Sequence, residues 1–391
     1  MTVVSNQPAP LAATHRARIA IVTNSSWNAV NFRGGLIAAL VSKGFAVTAI
    51  TPDGPEVASL RALNCNHVTV AVDSNGTSVL RDVLLFARYL RAFGKVRPDV
   101  VLGFTVKPNV FGSLAAGCLA IPVVNNISGL GTAFLRGGWL TAVVDRLYAL
   151  ALRRSARVFF QNREDRDEFL RRSLVRHEQT EVIPGSGVDL KHFTPAPSGE
   201  AGGRPLVFLL VARLLWDKGV DEFVKAAEIV REVAPRMRFC LLGPAEDKNP
   251  AGVGRTAVDG WCRAGLVEYW GVAEDVRPHM NASDCVVLPS YREGTPRSLL
   301  EAAAMAKPLI ATDVPGCRDV VDDGVNGFIC AVRNPGDLAD KILRVIALSS
   351  ERRLAMGAAG RAKMQREYSE DLVIDRYVAA IEAACKRRGN A

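Results

Sequence analysis

The stretch "SYREGTPRSLLEAAAMAKPLIATDVPG" (Ser290–Gly316) carries two glutamates, Glu293 and Glu301, with Gly294, Thr295, Pro296 and Arg297 directly after the first. Carboxylates are strong acceptors and suit the hydroxyls of a sugar. The residue types predict a buried strand "CVVLP", a loop "YREG" and then a helix, with Thr295 as its cap and Pro296 at its first position. Backbone N–H groups at a helix start favour phosphate. Glu293 on the loop, Glu301 about two turns into the helix and the N–H groups of Thr295 to Ser298 would suit a ligand holding both a diphosphate and polyol groups. A cap followed by a helix-surface glutamate is the plainer reading of the same spacing.

Cations lie near this stretch in the expected fold. "VARLLWDKGVDEF" (Val211–Phe223) places Arg213 and Lys218 on a loop between a strand and a helix. There they could stabilise a departing diphosphate, whose negative charge grows in the transition state; a solvated loop is the alternative. Earlier, Gly34 and Gly35 in "SSWNAVNFRGGLIAAL" are expected at a helix start, where they would let the backbone approach a phosphate. They form neither a G-x-G-x-x-G fingerprint nor a Walker loop. "GFTVKPNVFGS" and "VVNNISGLGTAF" offer Lys107 for an anionic acceptor and Asn109, Asn125, Asn126 and Ser128 for hydroxyls, or else these polar residues serve turns and caps. The letters D-x-D in "EDRDE" (Glu164–Glu168) fall where acids suit the first turn of a helix, so no metal site is assigned. None of the five histidines sits in a paired arrangement, and none is given a chemical role.

The elements that must position these residues follow a simple rhythm. Thirteen short apolar runs alternate with helical patterns: "RIAIVT", "FAVTAIT", "HVTVAV", "DVVLGF", "PVVNN", "RVFFQ" and "EVIP", then "PLVFLLVAR", "RFCLLG", "VEYWG", "CVVLP", "PLIAT" and "GFICA". That alternation predicts an α/β architecture of parallel sheets covered by helices. "FTPAPSGEAGGRP" (Phe193–Pro205) separates the two sets and reads as a linker. The expected organisation is two doubly wound, Rossmann-like domains over 1–194 and 195–370, facing across a cleft, and a C-terminal helix over 371–391 that packs back on the first domain. Ligands in such sheets bind at the carboxyl ends of the strands.

Composition narrows the partners. The chain has 391 residues, 49% hydrophobic, and a net charge of +9. The charge favours anionic partners such as phosphorylated small molecules, nucleic acid or an anionic membrane face. No aromatic–basic recognition element for nucleic acid is present. The eight cysteines include no C-x-x-C pair and lie mostly in apolar runs, as reduced core cysteines of a cytoplasmic protein do. The N-terminus lacks the apolar core of a signal peptide, and no stretch reaches the ~18 apolar residues of a membrane span. "GGWLTAVVDRLYALALRRSAR" (Gly137–Arg157) joins an apolar face to several arginines. It suits either an anionic membrane surface or an ordinary domain helix with a basic end.

In this order, the pieces resemble a retaining glycosyltransferase of the GT-B fold, in glycosyltransferase family four. The E-x7-E element of Glu293 and Glu301 is the most specific part, supported by "VARLLWDKG" and "TDVPGCRDVVDDGVNGFIC". "SSWNAVNFRGGL", "TVKPNVFGSLAA" and "NNISGLG" are similar to the bacterial subgroup that extends sugars on undecaprenyl diphosphate. The resemblance implies that Glu293 holds donor-sugar hydroxyls and Glu301 the ribose. Arg213 and Lys218 would stabilise the leaving diphosphate. Gly294, Thr295, Pro296 and Arg297 would surround sugar and phosphate, and Gly34 and Gly35 would close on the phosphate. Lys107, Asn109, Asn126 and Ser128 would receive the acceptor. Many family members have a first-domain histidine near "NNISGLG"; this chain has none, which leaves Asn126 or Ser128 in its place. The implied donor is a UDP-sugar and the implied acceptor a lipid-linked saccharide, met at the inner face of the membrane. No metal and no cofactor beyond the nucleotide sugar are implied. A sugar-nucleotide epimerase of the same architecture is the alternative; it would require an acid/base pair and no lipid acceptor.

Overall fold

The computed structural model describes residues 16–73, 78–129, 139–196 and 204–389. The N-terminal stretch, most of the expected linker and the end of "NNISGLG" lie outside them. Each of the thirteen apolar runs forms a strand. The first seven are β1 (Arg18–Val22), β2 (Ala46–Thr51), β3 (Asn66–Thr69), β4 (Val100–Phe104), β5 (Val123–Ile127), β6 (Arg157–Phe160) and β7 (Thr180–Val182). They make one sheet in the order β3-β2-β1-β4-β5-β6-β7. The other six are β8 (Val207–Val211), β9 (Arg238–Leu242), β10 (Glu268–Tyr269), β11 (Cys285–Leu288), β12 (Leu309–Thr312) and β13 (Gly327–Cys330). Their order is β10-β9-β8-β11-β12-β13. The register is parallel at β1–β2 and β1–β4 in the first sheet and at β8–β9, β8–β11 and β11–β12 in the second.

These strands read as unbroken apolar runs because both faces are buried. In β8, Val207 and Leu209 join one apolar cluster, and Phe208 and Leu210 join the other. Cys240 and Leu242 of β9 and Val286 and Leu288 of β11 follow the first pair, with Phe239, Leu241, Cys285 and Val287 on the opposite face. The period of two thus fills two cores from one sheet. Each fully buried Leu, Val or Phe contributes about 1.5–3 kcal/mol. Five of the eight cysteines are buried, Cys118 is exposed and all eight are free thiols.

The chain divides into two compact units. One comprises Met1–Asn125, Arg154–Ala156 and Ala380–Ala391; the other comprises Asn126–Arg153 and Arg157–Ala379. In the first, the end of the helix Glu370–Gly389 is fastened to the segments that lead into β1 and β4: Arg388 donates to the Pro98 carbonyl at 3.0 Å, and Arg16 pairs with Glu382.

The strand order reverses direction between β1 and β4 in the first sheet and between β8 and β11 in the second. A crevice opens at the carboxyl ends of the strands at such a switch point. Arg213 follows β8 and the loop bearing Glu293 follows β11, so the second switch point collects the residues singled out by chemistry.

Candidate active site

The site is assembled on β8 and β11. After β8 the chain passes Arg213, which is exposed and has no side-chain hydrogen bond or ion pair among the described residues. It then makes a short turn, Trp216–Lys218, ending at Gly219 with φ 72°. A Cβ at Gly219 would collide with the carbonyl of Pro289, so only glycine lets this turn sit against the end of β11. That contact brings the Lys218 ammonium to 2.6 Å from the Glu293 carboxylate, with the side chains 20% and 14% exposed. The loop after β11 is tied to the same turn. Ser290 Oγ donates to the Asp217 carbonyl at 3.1 Å and Tyr291 N–H donates to it at 2.8 Å. The Tyr291 hydroxyl donates to Glu222 at 2.6 Å, and the Thr312 hydroxyl donates to the Ser290 carbonyl. Burial and the Glu222 carboxylate push the Tyr291 phenol up to about 12.

Glu301 lies on the helix Arg297–Ala304, whose Leu299, Leu300, Ala302, Ala303 and Ala304 are fully buried. The carboxylate is 8% exposed and accepts from Arg297 Nε at 2.6 Å, one turn back. Burial raises its pKa above the ordinary carboxylate value, and the Arg297 guanidinium opposes that rise. Glu293–Lys218 and Glu301–Arg297 are therefore two acid–base pairs on one strand-end face. Each can exchange its internal partner for a ligand: a phosphate takes the place of the carboxylate beside the cation, and hydroxyls take the place of the cation as donors to the carboxylate.

The helix start differs from the sequence expectation. Pro296, with φ −74° and ψ 112°, holds the cap position and Arg297 opens the helix. Thr295 is not a cap. Its N–H donates to Gln161 Oε1 at 3.1 Å and its hydroxyl donates to the Gln161 carbonyl at 3.0 Å. Since Pro296 has no N–H, the anion seat expected over Thr295 to Ser298 contracts to Arg297 and Ser298.

Gly34 and Gly35 are likewise not at a helix start. They lie inside the helix Ser26–Ser42, whose cap is Ser25, accepting the Asn28 N–H at 3.1 Å. Their N–H groups belong to the helix interior and are not presented to an anion. The serines of "NSSWN" were the signal for this earlier start. A Cβ at Gly34 would meet nothing within 4 Å, so the helix presents a bare face there.

Among the expected acceptor residues, Asn109 and Asn126 are interior, 1% and 0% exposed. Asn109 Oδ1 accepts from Asn125 at 3.0 Å, and Asn126 donates to the Tyr377 hydroxyl at 2.8 Å. Both fasten strands and loops in place, because carboxamides at that depth must be paired within the protein. Lys107 follows β4 at the switch point of the first sheet and pairs with Asp82 at 2.7 Å. Ser128 is exposed just past β5.

The D-x-D letters belong to a helix start, as their sequence suggested. Asn162 caps the helix Arg163–Arg171, accepting the Asp165 N–H at 2.7 Å. Asp165 is fully buried and pairs with Arg292 of the β11 loop. Spacing alone did not single out Gln161, Asn162 and Asp165, because their partners lie about 130 residues away.

Similarity to known proteins agrees with this geometry. Residues 30–185 match the family described as glycosyl transferase 4-like domain, and residues 205–347 match glycosyl transferases group 1. A relative from Campylobacter jejuni, N,N'-diacetylbacillosaminyl-diphospho-undecaprenol alpha-1,3-N-acetylgalactosaminyltransferase, is 28% identical over 388 residues, covering 94% of this chain and 99% of its own. The UDP-Gal:alpha-D-GlcNAc-diphosphoundecaprenol alpha-1,3-galactosyltransferase of Escherichia coli is 25% identical, covering 68% of this chain and 71% of its own. The crystal structure of Anabaena HepE with UDP and glucose superposes with a TM-score of 0.75 at 20% identity, over 93% of this chain and 98% of that one. None of these relatives is an epimerase. The two family matches take in β2–β7 of the first sheet and all six strands of the second, and the chain belongs to the GT-B glycosyltransferases, with a 4-like first part and a group 1 second part.

Proposed function

We propose that this glycosyltransferase moves an N-acetylhexosamine or hexose from a UDP-sugar to a lipid-diphosphate-linked saccharide, with retention at the anomeric carbon and without a metal ion. The observation that carries the reading is the Lys218–Glu293 pair at the β8/β11 switch point, where Arg213 also follows β8. Supporting it are the printed activities of the Campylobacter and Escherichia relatives, both of which act on undecaprenyl-diphosphate saccharides.

In this reading the donor replaces the internal partners. Its diphosphate takes Lys218 and Arg213, which releases Glu293 to accept sugar hydroxyls. Its ribose takes Glu301 in place of Arg297. Arg297 and Ser298 at the helix start face the phosphates, with Gly294, Thr295 and Pro296 shaping the loop around the sugar. As the glycosidic bond breaks, charge grows on the diphosphate beside two cations already in place, and fixed charges of this kind lower the barrier without reorganisation. The acceptor hydroxyl attacks on the face that the diphosphate leaves, and a diphosphate oxygen takes its proton. Residues 195–370 then form the donor domain and 1–194 the acceptor domain, with 371–391 returning to the latter. Lys107, held by Asp82, is the contact for the acceptor's diphosphate. Gly34 and Gly35 serve as bare helix surface, not as N–H donors.

The lipid acceptor requires contact with a membrane, and the helix Val79–Val96 suits it. Val79 and Leu80 are each 77% exposed, Val83 60% and Leu84 51%. Arg81, Arg88, Arg91 and Lys95 are exposed on the same helix. An apolar tip with a row of cations suits an anionic bilayer surface. Asp82 of this helix holds Lys107, so the lipid-facing tip and the acceptor's diphosphate contact would be neighbours. The test is transfer itself: radiolabelled UDP-N-acetylgalactosamine and UDP-galactose are offered with undecaprenyl-diphosphate saccharides in EDTA. Labelled lipid supports the reading, and its absence with every donor–acceptor pair contradicts it.

A further inference from the structure

The loop Ser290–Pro296 is held from two sides. The Trp216–Lys218 turn and Glu222 hold its first half. Its second half rests on three residues after β6 that no catalytic role has yet absorbed. Asp165 is 0% exposed, and it is the only side-chain partner of Arg292 among the described residues. Asn162, 2% exposed, donates from Nδ2 to the carbonyls of Glu293 at 3.4 Å and Gly294 at 3.3 Å, and to Asp165 Oδ2 at 3.2 Å. Gln161 uses both ends of its carboxamide: Oε1 accepts from Thr295 N–H at 3.1 Å and Nε2 donates to Asn126 at 3.4 Å. The fit is close enough that a Cβ at Gly294 would strike the Ser128 carbonyl and Gln161 Oε1.

We propose that Gln161, Asn162 and Asp165 are the positioning residues of the donor loop. They fix Arg292, Gly294 and Thr295 on either side of Glu293, so that its carboxylate is presented to the sugar beside Lys218. A buried carboxylate is retained only with a partner that compensates its desolvation, and Arg292 is that partner. The same pairing makes Arg292 a fixed point one residue from Glu293. Asn162 fixes the backbone carbonyls of Glu293 and Gly294, and Gln161 fixes Thr295. The Asn126–Gln161–Thr295 chain of hydrogen bonds also links the end of β5 to this loop. The inference rests on reading the loop as the donor site.

The roles separate kinetically. UDP is read by Glu301, Arg213 and Lys218, whereas the transferred sugar is read by Glu293. Turnover is followed as UDP release from UDP-N-acetylgalactosamine or UDP-galactose, whichever the unmodified chain consumes. Asp165→Asn and Arg292→Gln should each lower kcat by ~10-fold or more, since a misplacement of ~1 Å can cost ~10²-fold. UDP affinity by calorimetry should stay within about threefold, and the double variant should be no slower than the slower single. Gln161→Glu keeps the acceptor for Thr295 and should retain most of kcat; Gln161→Leu should lose it. Gln161 is only partly buried, so this second pair carries the test if the Asp165 variants do not fold. Unchanged kcat in folded variants, or losses that multiply in the double variant, would overturn the proposal. UDP affinity falling as far as kcat would also overturn it, because that marks general collapse of the site. An unmodified chain that binds no UDP would sink the donor-site reading as well.

Discussion

Lys218 sits 2.6 Å from Glu293 and Arg297 Nε sits 2.6 Å from Glu301, so these four residues assigned to the donor already have an opposite charge beside them. The arrangement keeps partly buried charges compensated until a ligand takes over one member of each pair. If Lys218 stabilises the leaving diphosphate, Lys218→Ala should lower kcat by ~10²-fold or more, measured by steady-state UDP release, and Arg213→Ala should act in the same direction. Glu301 gives a pH prediction. Its folded-state pKa is raised, so the folded chain binds this proton more tightly than the unfolded chain. Its contribution to stability is present below the ordinary carboxylate value and is lost as pH rises through the raised one. Donor binding runs the opposite way, because ribose hydroxyls need the ionised carboxylate. UDP affinity by calorimetry should fall as pH drops through the raised value, approaching ~10-fold per pH unit. Glu301→Gln should bind weakly at every pH and show no such step. The places of Glu293, Glu301, Arg213 and Lys218 in the fold were legible in the sequence because each lies within a few residues of a strand end or helix start. Gln161, Asn162 and Asp165 were not, because local spacing carries no trace of a partner about 130 residues away. Asp165 was further disguised by looking, correctly, like an acid in a helix's first turn.

At the scale of elements, all thirteen strands were legible, since a strand buried on both faces is an unbroken apolar run. Helix starts were less so. Gly34–Gly35 looked like a phosphate-approach turn, yet the helix had already begun at Ser26, and the buried Arg33, Leu36, Ile37 and Leu40 hold it through the glycines. That placement has a measurable consequence. Gly34→Ala should stabilise the unliganded protein by about 1 kcal/mol, because helix-interior glycine costs that much relative to alanine and the Cβ meets nothing. Thermal unfolding at neutral pH reads it, and an unchanged or lower melting temperature would contradict the bare-face description. The second misplacement was Thr295, expected as a cap. It was captured instead by Gln161, a tertiary contact that overrides the local preference.

At the scale of the whole molecule, the proposed membrane contact combines the net charge of +9 with the exposed apolar tip at Val79, Leu80, Val83 and Leu84. The sequence drew attention to another basic, apolar segment, Gly137–Arg157; the helix Val79–Val96 was passed over because its apolar and basic residues also suit an ordinary amphipathic helix. Sedimentation with vesicles separates the two. The chain should bind vesicles containing phosphatidylglycerol, release them in high salt and leave phosphatidylcholine vesicles unbound. Leu80→Asp with Leu84→Asp should abolish binding without affecting UDP affinity; retained binding would move the surface elsewhere. The central claim, that the charge pairs after β8 and β11 form one metal-free UDP-sugar site, is tested most directly by thermal unfolding with UDP-, GDP- and ADP-sugars in EDTA. A ligand at ~100 times its Kd adds about 2.7 kcal/mol of stability. The account predicts a clear rise in melting temperature with a UDP-sugar in EDTA and none in Glu301→Ala. No rise with any nucleotide sugar, or a rise that appears only when a divalent metal is restored, would contradict it.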